Sequence, residues 1–394
     1  MNYTKKSINC KLVFNEHREI LFFSLEFHMK IGIVGLPNVG KSTLFNALTK
    51  SYAAPAANFP FCTIDPNIGI VEVKDERLTK LAELSQSKKT VYATIEFVDI
   101  AGLVRGASKG EGLGNKFLSN IRETDVIFQV LRYFQDPDIV HTEGEIDPLR
   151  DVEIINTELI FADLEHIDRT LPYLQKKAKA GNGSKEDKKL VEILERIHAT
   201  LMEGKLANTL QLSPEEIKLV KSYNFLTLKP IIYALNIAQE DIKNSEALKT
   251  EFEQKLNAPV AIICVKIEEE MMSMTTAEKI NFLAELLEIE NHKIPTLDDA
   301  ILLAFNTLGL MYYFTTGEKE SKARTIPLNS TAPQAAGAIH SDFERGFIKA
   351  DVVSYDDLIA AGSRAKAREK GLLRQEGKSY IVKDGDVMIF KFNV

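Results

Sequence analysis

The sequence predicts an α/β protein: a mostly parallel sheet of buried strands, a long helical excursion inserted into it, and a strand-rich α+β unit at the end. Three observations carry that expectation. Residues 31–34 are a short apolar run feeding Gly35-Leu36-Pro37-Asn38-Val39-Gly40-Lys41-Ser42, and residues 43–50 then follow a helical pattern. That is the strand–loop–helix order of a P-loop. From Asp151 to Leu201, apolar residues recur at intervals of three and four on both sides of Gly181-Asn182-Gly183-Ser184, which predicts an antiparallel hairpin of two helices. Past Leu310 the pattern shifts to short alternating runs, closing on 379–382, Lys383-Asp384-Gly385-Asp386 and 387–392. Asp-Gly between two such runs signals a β-hairpin.

With 394 residues, 45% hydrophobic and 27% charged, the chain can bury a large core and divide into two or three domains. A formal net charge of -7 argues against general attraction to nucleic acid, DNA included, but leaves room for local basic patches. Cys10, Cys62 and Cys264 are far apart in sequence and suggest neither a disulfide framework nor a zinc cluster, as suits a reducing cytoplasm. No apolar run reaches the length of a bilayer span. Residues 1–28 read as an extension, either a disordered arm or the product of an upstream start site, and as dispensable for catalysis. The first strand begins cleanly after Met29.

In chain order, residues 53–67 carry Pro55, Pro60 and Pro66 and no helical period, a mobile loop by composition. A weak strand is expected at 69–73, a short helix at 77–84, and a single strong strand at 91–100 ending in Asp99-Ile100-Ala101-Gly102. Residues 103–114 hold Gly106, Gly110, Gly112 and Gly114, which eases conformational change. Further strands are expected at 125–131, 230–235 and 260–265, with Ser213-Pro214-Glu215-Glu216 starting a helix. Lys177, Lys179, Lys185, Lys188 and Lys189 sit at the tip of the helical hairpin. They fit either contact with a phosphate backbone or a solvated helical end.

The chemistry of the loop follows from its spacing. Gly35 and Gly40 let the backbone turn so that successive N–H groups and a helix N-terminus face a phosphate. Lys41 is placed to reach terminal phosphates and Ser42 to put its hydroxyl on magnesium. An aspartate at the carboxyl end of a buried strand, here Asp99, is where a nucleotide-hydrolysing switch fold holds its metal-associated carboxylate. A guanine-specific site would need Asn-Lys-x-Asp after its fourth strand; the chain has Asn236-Ile237-Ala238-Gln239, so the carboxylate that reads guanine is missing and base preference tilts to ATP.

These elements, with Asn58-Phe59-Pro60-Phe61-Cys62-Thr63, Phe97-Val98-Asp99-Ile100-Ala101-Gly102-Leu103-Val104, Thr331-Ala332-Pro333-Gln334-Ala335-Ala336-Gly337 and Asp342-Phe343-Glu344-Arg345-Gly346-Phe347, resemble the YchF-type ribosome-binding ATPases, a branch of the Obg-like P-loop proteins. The resemblance runs from Met29 to Val394. It implies an Obg-type G-domain over 29–309 with a helical insertion at about 148–207, and a TGS (ubiquitin-like) domain over 310–394. It implies slow, magnesium-dependent ATP hydrolysis and binding to the ribosome, either its large subunit or the 70S particle, and to rRNA, by a cytoplasmic monomer that binds no membrane.

Carried over residue by residue, Asn38, Val39, Gly40, Lys41, Ser42 and Thr43 would hold the phosphates. Ser42, Thr63 and Asp99 would form the metal and switch set, and Gly102 would contact the terminal phosphate. Leu235, Asn236, Gln239 and Val265 would meet the base. Asn38 matches an asparagine linked in related enzymes to potassium. Leu103 stands where Ras-like enzymes have a water-orienting glutamine, and the resemblance gives that task to His141. The family usually has glutamate at Gln239, so preference for ATP is expected to be softer here; it commonly has tryptophan at Arg324, which reads as a surface or packing change without catalytic meaning. An Obg-like GTPase and a non-enzymatic ribosome- or RNA-binding protein are the competing readings.

Overall fold

The computed structural model describes residues 29–51, 67–100, 113–136, 144–179, 184–272, 295–393 and a few positions in 274–282. The expectations for residues 1–28, for the loops at 53–66 and 103–112, and for most of 276–287 lie outside them. Two six-stranded sheets form the frame. The first comprises β1 (Lys30–Val34), β2 (Ile68–Val73), β4 (Ala93–Asp99), β5 (Val126–Arg132), β6 (Ile231–Asn236) and β7 (Val260–Ile263), in the order β2-β4-β1-β5-β6-β7. All neighbours pair in parallel except β2, which runs antiparallel to β4.

Burial explains the difference. β5 and β6 are buried at every position, as strands covered by helices on both faces must be. At the sheet edge, β2 alternates buried and half-buried residues. Order reverses at β1, so its carboxyl end opens at a topological switch point, the usual place for a ligand in such sheets.

The second sheet has the order β11-β10-β12-β8-β9-β3, from β3 (Thr90–Val91), β8 (Leu310–Thr315), β9 (Ser321–Pro327), β10 (Phe347–Ser354), β11 (Arg374–Glu376) and β12 (Asp386–Phe392). Two expectations fail here. The strand expected over 91–100 is cut at Tyr92: β4 stays in the first sheet, while β3 leaves to pair in parallel with β9. Hydrogen bonds on its flank explain the departure, because Lys88 N–H donates to Glu318 O (3.0 Å), Ser321 N–H to Lys89 O (2.9 Å) and Ser87 Oγ to Gly317 O (2.7 Å).

The terminal hairpin does not form either. β12 pairs with β10 and β8, and residues 379–382 lie along 330–332 instead, through Ala332 N–H to Tyr380 O and Val382 N–H to Ser330 O. The Asp-Gly pair serves another end. Asp384 accepts from Tyr312 N–H (3.2 Å) and from Arg77 Nη1 (2.6 Å). A Cβ on Gly385 would come within 2.9 Å of Arg77 Nη1. A smaller correction falls at 260–265, where the strand stops at Ile263 and Val265 starts a helix.

Between β5 and β6 the chain makes the helical excursion: α4 (Pro148–Lys179) and α5 (Lys185–Met202). Ser184 caps α5, and Asp187 returns the bond to the Ser184 N–H. This unit has its own core of Ile160, Ile167, Leu174, Ile193, Leu194, Ile197 and Leu201, which continues through Ala207, Val220 and Phe225. At the tip, Lys177 pairs with Asp187 (2.8 Å) and Lys189 with Glu215 (3.1 Å). Two of the five tip lysines are therefore spent on local carboxylates, which favours the solvated reading.

Asp163 ties the excursion to the sheet. It is 0% exposed and accepts from Leu226 N–H (3.1 Å), Thr227 N–H (2.8 Å) and Thr227 Oγ1 (2.7 Å). Arg122, the last residue of the helix Leu113–Arg122, approaches it at 3.4 Å. Asp163→Ala leaves three buried donors without their acceptor, at about 1–3 kcal/mol for a buried group left unpaired. The expected result in differential scanning calorimetry is a lower midpoint for the transition that melts the helical unit. An unchanged thermogram would show that the carboxylate does not hold the unit in place.

Candidate functional site

β1 ends at Val34, and the loop turns at once. A Cβ at Gly35 would lie 2.7 Å from Val130 O, so only glycine lets the chain pass so close to β5. Asn38 (φ 63°) and Gly40 (φ 99°) adopt left-handed conformations, which turn successive N–H groups toward one side. Leu44 N–H to Gly40 O (2.9 Å) opens the helix Lys41–Ser51. Ser42 is exposed, Thr43 half-buried and Val39 fully buried, so Val39 contributes through its backbone.

Lys41 is 8% exposed and donates to Leu36 O at 2.7 Å. Burial lowers its ammonium to about 8, with Asp99 pulling the other way. Asp99 ends β4, in register with Ile33 of β1. Burial pushes its carboxyl up, opposed by Lys41 and by Ser42. Its Oδ2 lies 3.4 Å from Ser42 Oγ, while its Oδ1 is buried with no hydrogen-bond partner among the described residues. Buried carboxylate oxygens rarely stay unpaired. A hydroxyl and a carboxylate form the hard-oxygen donor set that magnesium and its water shell require, so these residues fit that ion.

Asn236, at the end of β6 and 4% exposed, joins both walls of the site. Its Nδ2 donates to Val39 O (3.0 Å), and its Oδ1 accepts from Val265 N–H (3.1 Å). A Cβ on Gly40 would approach its Nδ2 to 2.5 Å. Leu235 has its side chain in the core, and Gln239 opens the 3-10 turn Gln239–Asn244. The structure thus brings Asn38 to Thr43, Asp99, Asn236 and Val265 to one end of the sheet. Thr63, Gly102 and His141 lie outside the described residues.

Sequence reasoning missed Arg132. It is 1% exposed, donates from Nε to Phe134 O (3.2 Å) and lies 4.6 Å from the Phe134 ring centroid. Tyr133 and Phe134 N–H both bond Asn236 O (2.9 and 3.2 Å), so Arg132 fixes the turn beside Asn236. An arginine closing a strand otherwise apolar but for Gln129 was the available signal.

Residues 30–165 match the family profile described as 50S ribosome-binding GTPase, and residues 310–393 match the C-terminal profile of YchF GTPases, described as a protein of unknown function. A "Ribosome-binding ATPase YchF" of Pasteurella multocida is 50% identical over 367 residues, 93% of this chain and 99% of the relative. One of Bacillus subtilis with the same name is 49% identical over 371 residues, 92% and 99%. The structure of the Schizosaccharomyces pombe YchF GTPase superposes with a TM-score of 0.81 at 37% identity, covering 92% of this chain and 98% of that one. These names differ on the base, ATPase for the bacterial relatives and GTPase for the yeast structure.

Carbon-13 titration of the lysine Cε resonances is expected to show Lys41 with a midpoint of about 8. Its folded value lies below its ordinary one, so between the two the unfolded chain binds more protons and stability rises with pH through that window. Lys41→Met is expected to flatten this rise in denaturation profiles. A Lys41 midpoint at the ordinary lysine value would contradict the buried ammonium.

Proposed function

The chain belongs to the YchF family, and from that premise we propose that it is a slow, magnesium-dependent ATPase that uses its nucleotide state to govern binding to the ribosome. The observation that carries the reading is the corner of Lys41, Ser42 and Asp99, with the unpaired Asp99 Oδ1 beside the Ser42 hydroxyl. In this reading the amides of 38–43 and the Lys41 ammonium bind the phosphates and stabilise charge on the γ-phosphoryl oxygens as water attacks. Ser42, Asp99 and Thr63 hold the metal, which when bound neutralises phosphate charge. Gly102 supplies a backbone contact to the terminal phosphate, and His141 orients the attacking water. Potassium, bound beside Asn38, would add positive charge at the phosphates.

The base rests against Asn236 and Gln239 and against the backbone near Leu235 and Val265, whose side chains are in the core. Gln239 offers no carboxylate for guanine, which supports ATP, and offers no charge to reject GTP either, so the preference is modest. Residues 29–309 act as the nucleotide unit, with the helical insertion from about 148, and 310–394 as the TGS-like unit. The partners are the ribosome and its rRNA, met by a cytoplasmic monomer. Among the described residues no helix is long and apolar enough to cross a membrane.

The test is turnover of ATP and GTP in potassium or sodium, with and without ribosomes. ATP is expected to be hydrolysed faster than GTP, with Lys41→Ala reducing kcat/KM at least ~100-fold. His141→Ala is expected to reduce kcat about 100-fold with little change in nucleotide affinity. Full activity in Lys41→Ala would refute the site, and full activity in His141→Ala would remove that residue's role. GTP turned over in preference to ATP would replace the base assignment.

A further inference from the structure

Away from the phosphate loop, a cavity of about 430 Å³ lies where three parts of the chain meet: residues 74–77 at the start of the helix Glu76–Leu84, residues 302–306 near the end of the helix Leu297–Thr307, and residues 310–312 of β8. Its size falls within the ~300–1,000 Å³ usual for small-molecule sites. Phe305 and Tyr312 line it with stacked rings, centroids 4.4 Å apart and planes 20° apart. Leu302 and Leu328 line it too, yet are 45% and 53% exposed, so its mouth is apolar and open to water.

Tyr312 is 4% exposed, and its buried hydroxyl has no hydrogen-bond partner among the described residues. Burial, then the fields of Asp75 and Asp384, keep the phenol protonated, so it stands as a donor. Neither carboxylate bonds to that hydroxyl, and Arg77 holds both turned toward itself. Asp75 accepts from Arg77 N–H (2.8 Å), Nε (3.1 Å) and Nη2 (2.7 Å). Asp384 accepts from Arg77 Nη1 (2.6 Å) and from Tyr312 N–H (3.2 Å). The remaining charges, Lys74 and Glu76, are exposed. A charged ligand seated on the apolar lining would lose its water beside counter-charges that are either paired within the Arg77 cluster or solvated at the rim.

We propose that this cavity binds a small uncharged aromatic molecule carrying a hydrogen-bond acceptor, its ring against Leu302 and Leu328 over the Phe305–Tyr312 stack and its acceptor reaching in to the buried Tyr312 hydroxyl. The occupant bridges the helix Glu76–Leu84 and the second sheet, and so strengthens the joint between the two units. The lining shares no residue with the phosphate loop, so the proposal stands apart from the nucleotide reading.

Saturation-transfer NMR on the full chain with benzamide and toluene as probes tests it. Benzamide, which has the acceptor, is expected to bind more tightly than toluene. Tyr312→Phe is expected to weaken benzamide about fivefold, the value of one neutral hydrogen bond, and to leave toluene unchanged. Leu302→Arg, at an exposed position, is expected to weaken both. No saturable binding of benzamide to the unaltered chain, or equal benzamide affinity in Tyr312→Phe, overturns the proposal. Should Tyr312→Phe melt earlier than the parent, Leu302→Arg decides alone, and unchanged affinity there overturns it.

Discussion

A cation and an anion share one poorly hydrated corner where β1 and β4 end, and the site is arranged around that pair. Burial acts on both in opposite senses, lowering Lys41 and raising Asp99, and each is the other's main electrostatic relief. Neither charge would be stable there alone. The loop that brings them together is held from behind by Asn236, whose amide spans Val39 O and Val265 N–H. Gly40 has no Cβ, and that is what lets the amide approach so closely. Lys41 is therefore fixed by backbone geometry, as preorganised charge stabilisation requires.

The joint between the two sheets follows a different logic. Three residues after the helix Glu76–Leu84, Ser87 and then Lys88 and Lys89 pair with the turn before β9, and β3 becomes the edge of the second sheet. Backbone pairing fixes the register, while Arg77 between Asp75 and Asp384 fixes the angle of approach. Arg77 also lies 5.3 Å from the Phe314 ring centroid. Exposed ion pairs contribute little to stability. Here the pairing strand supplies the connection and the ions supply direction.

The strand, loop and first helix were legible because buried strands read as continuous apolar runs and the two glycines sit where the backbone must turn. The helical excursion was legible from its period. What misled was local grammar with a tertiary override. Residues 91–100 look like one strand because Val91, Ala93, Ile95 and Phe97 alternate without a break; nothing local says that Thr90 and Val91 serve a partner more than two hundred residues away. Asp384-Gly385 has the chemistry of a hairpin turn, but its carboxylate is used by Arg77 and Tyr312. Asn236 was placed by its motif as a base contact, and the bond to Val39 O that makes it a brace appears only in three dimensions. Arg132 escaped notice because one charged residue at a strand end has no periodicity, and Asp163 because it reads as one more acid among Glu158, Glu165 and Asp168 of an amphipathic helix.

Connectivity links the site to both outer units by separate routes. Residues 52–66 lead into β2, whose far end continues into the helix that carries Arg77 and borders the second sheet. Residues 101–112 lead into the helix Leu113–Arg122, whose last side chain meets Asp163 of α4 and Asn224 O (3.0 Å). A two-turn to three-turn helix is stiff along its axis, so a displacement imposed at its first residue reaches the Arg122–Asp163 contact unless the helix unwinds. Lys229 reinforces that end through Arg122 O (3.1 Å) and Thr124 O. Packed interfaces shift between discrete arrangements more readily than they deform. The fold therefore places a packed, charge-bearing contact at the end of each segment that flanks Asp99 and the phosphate loop, one facing the helical unit and one facing the terminal sheet.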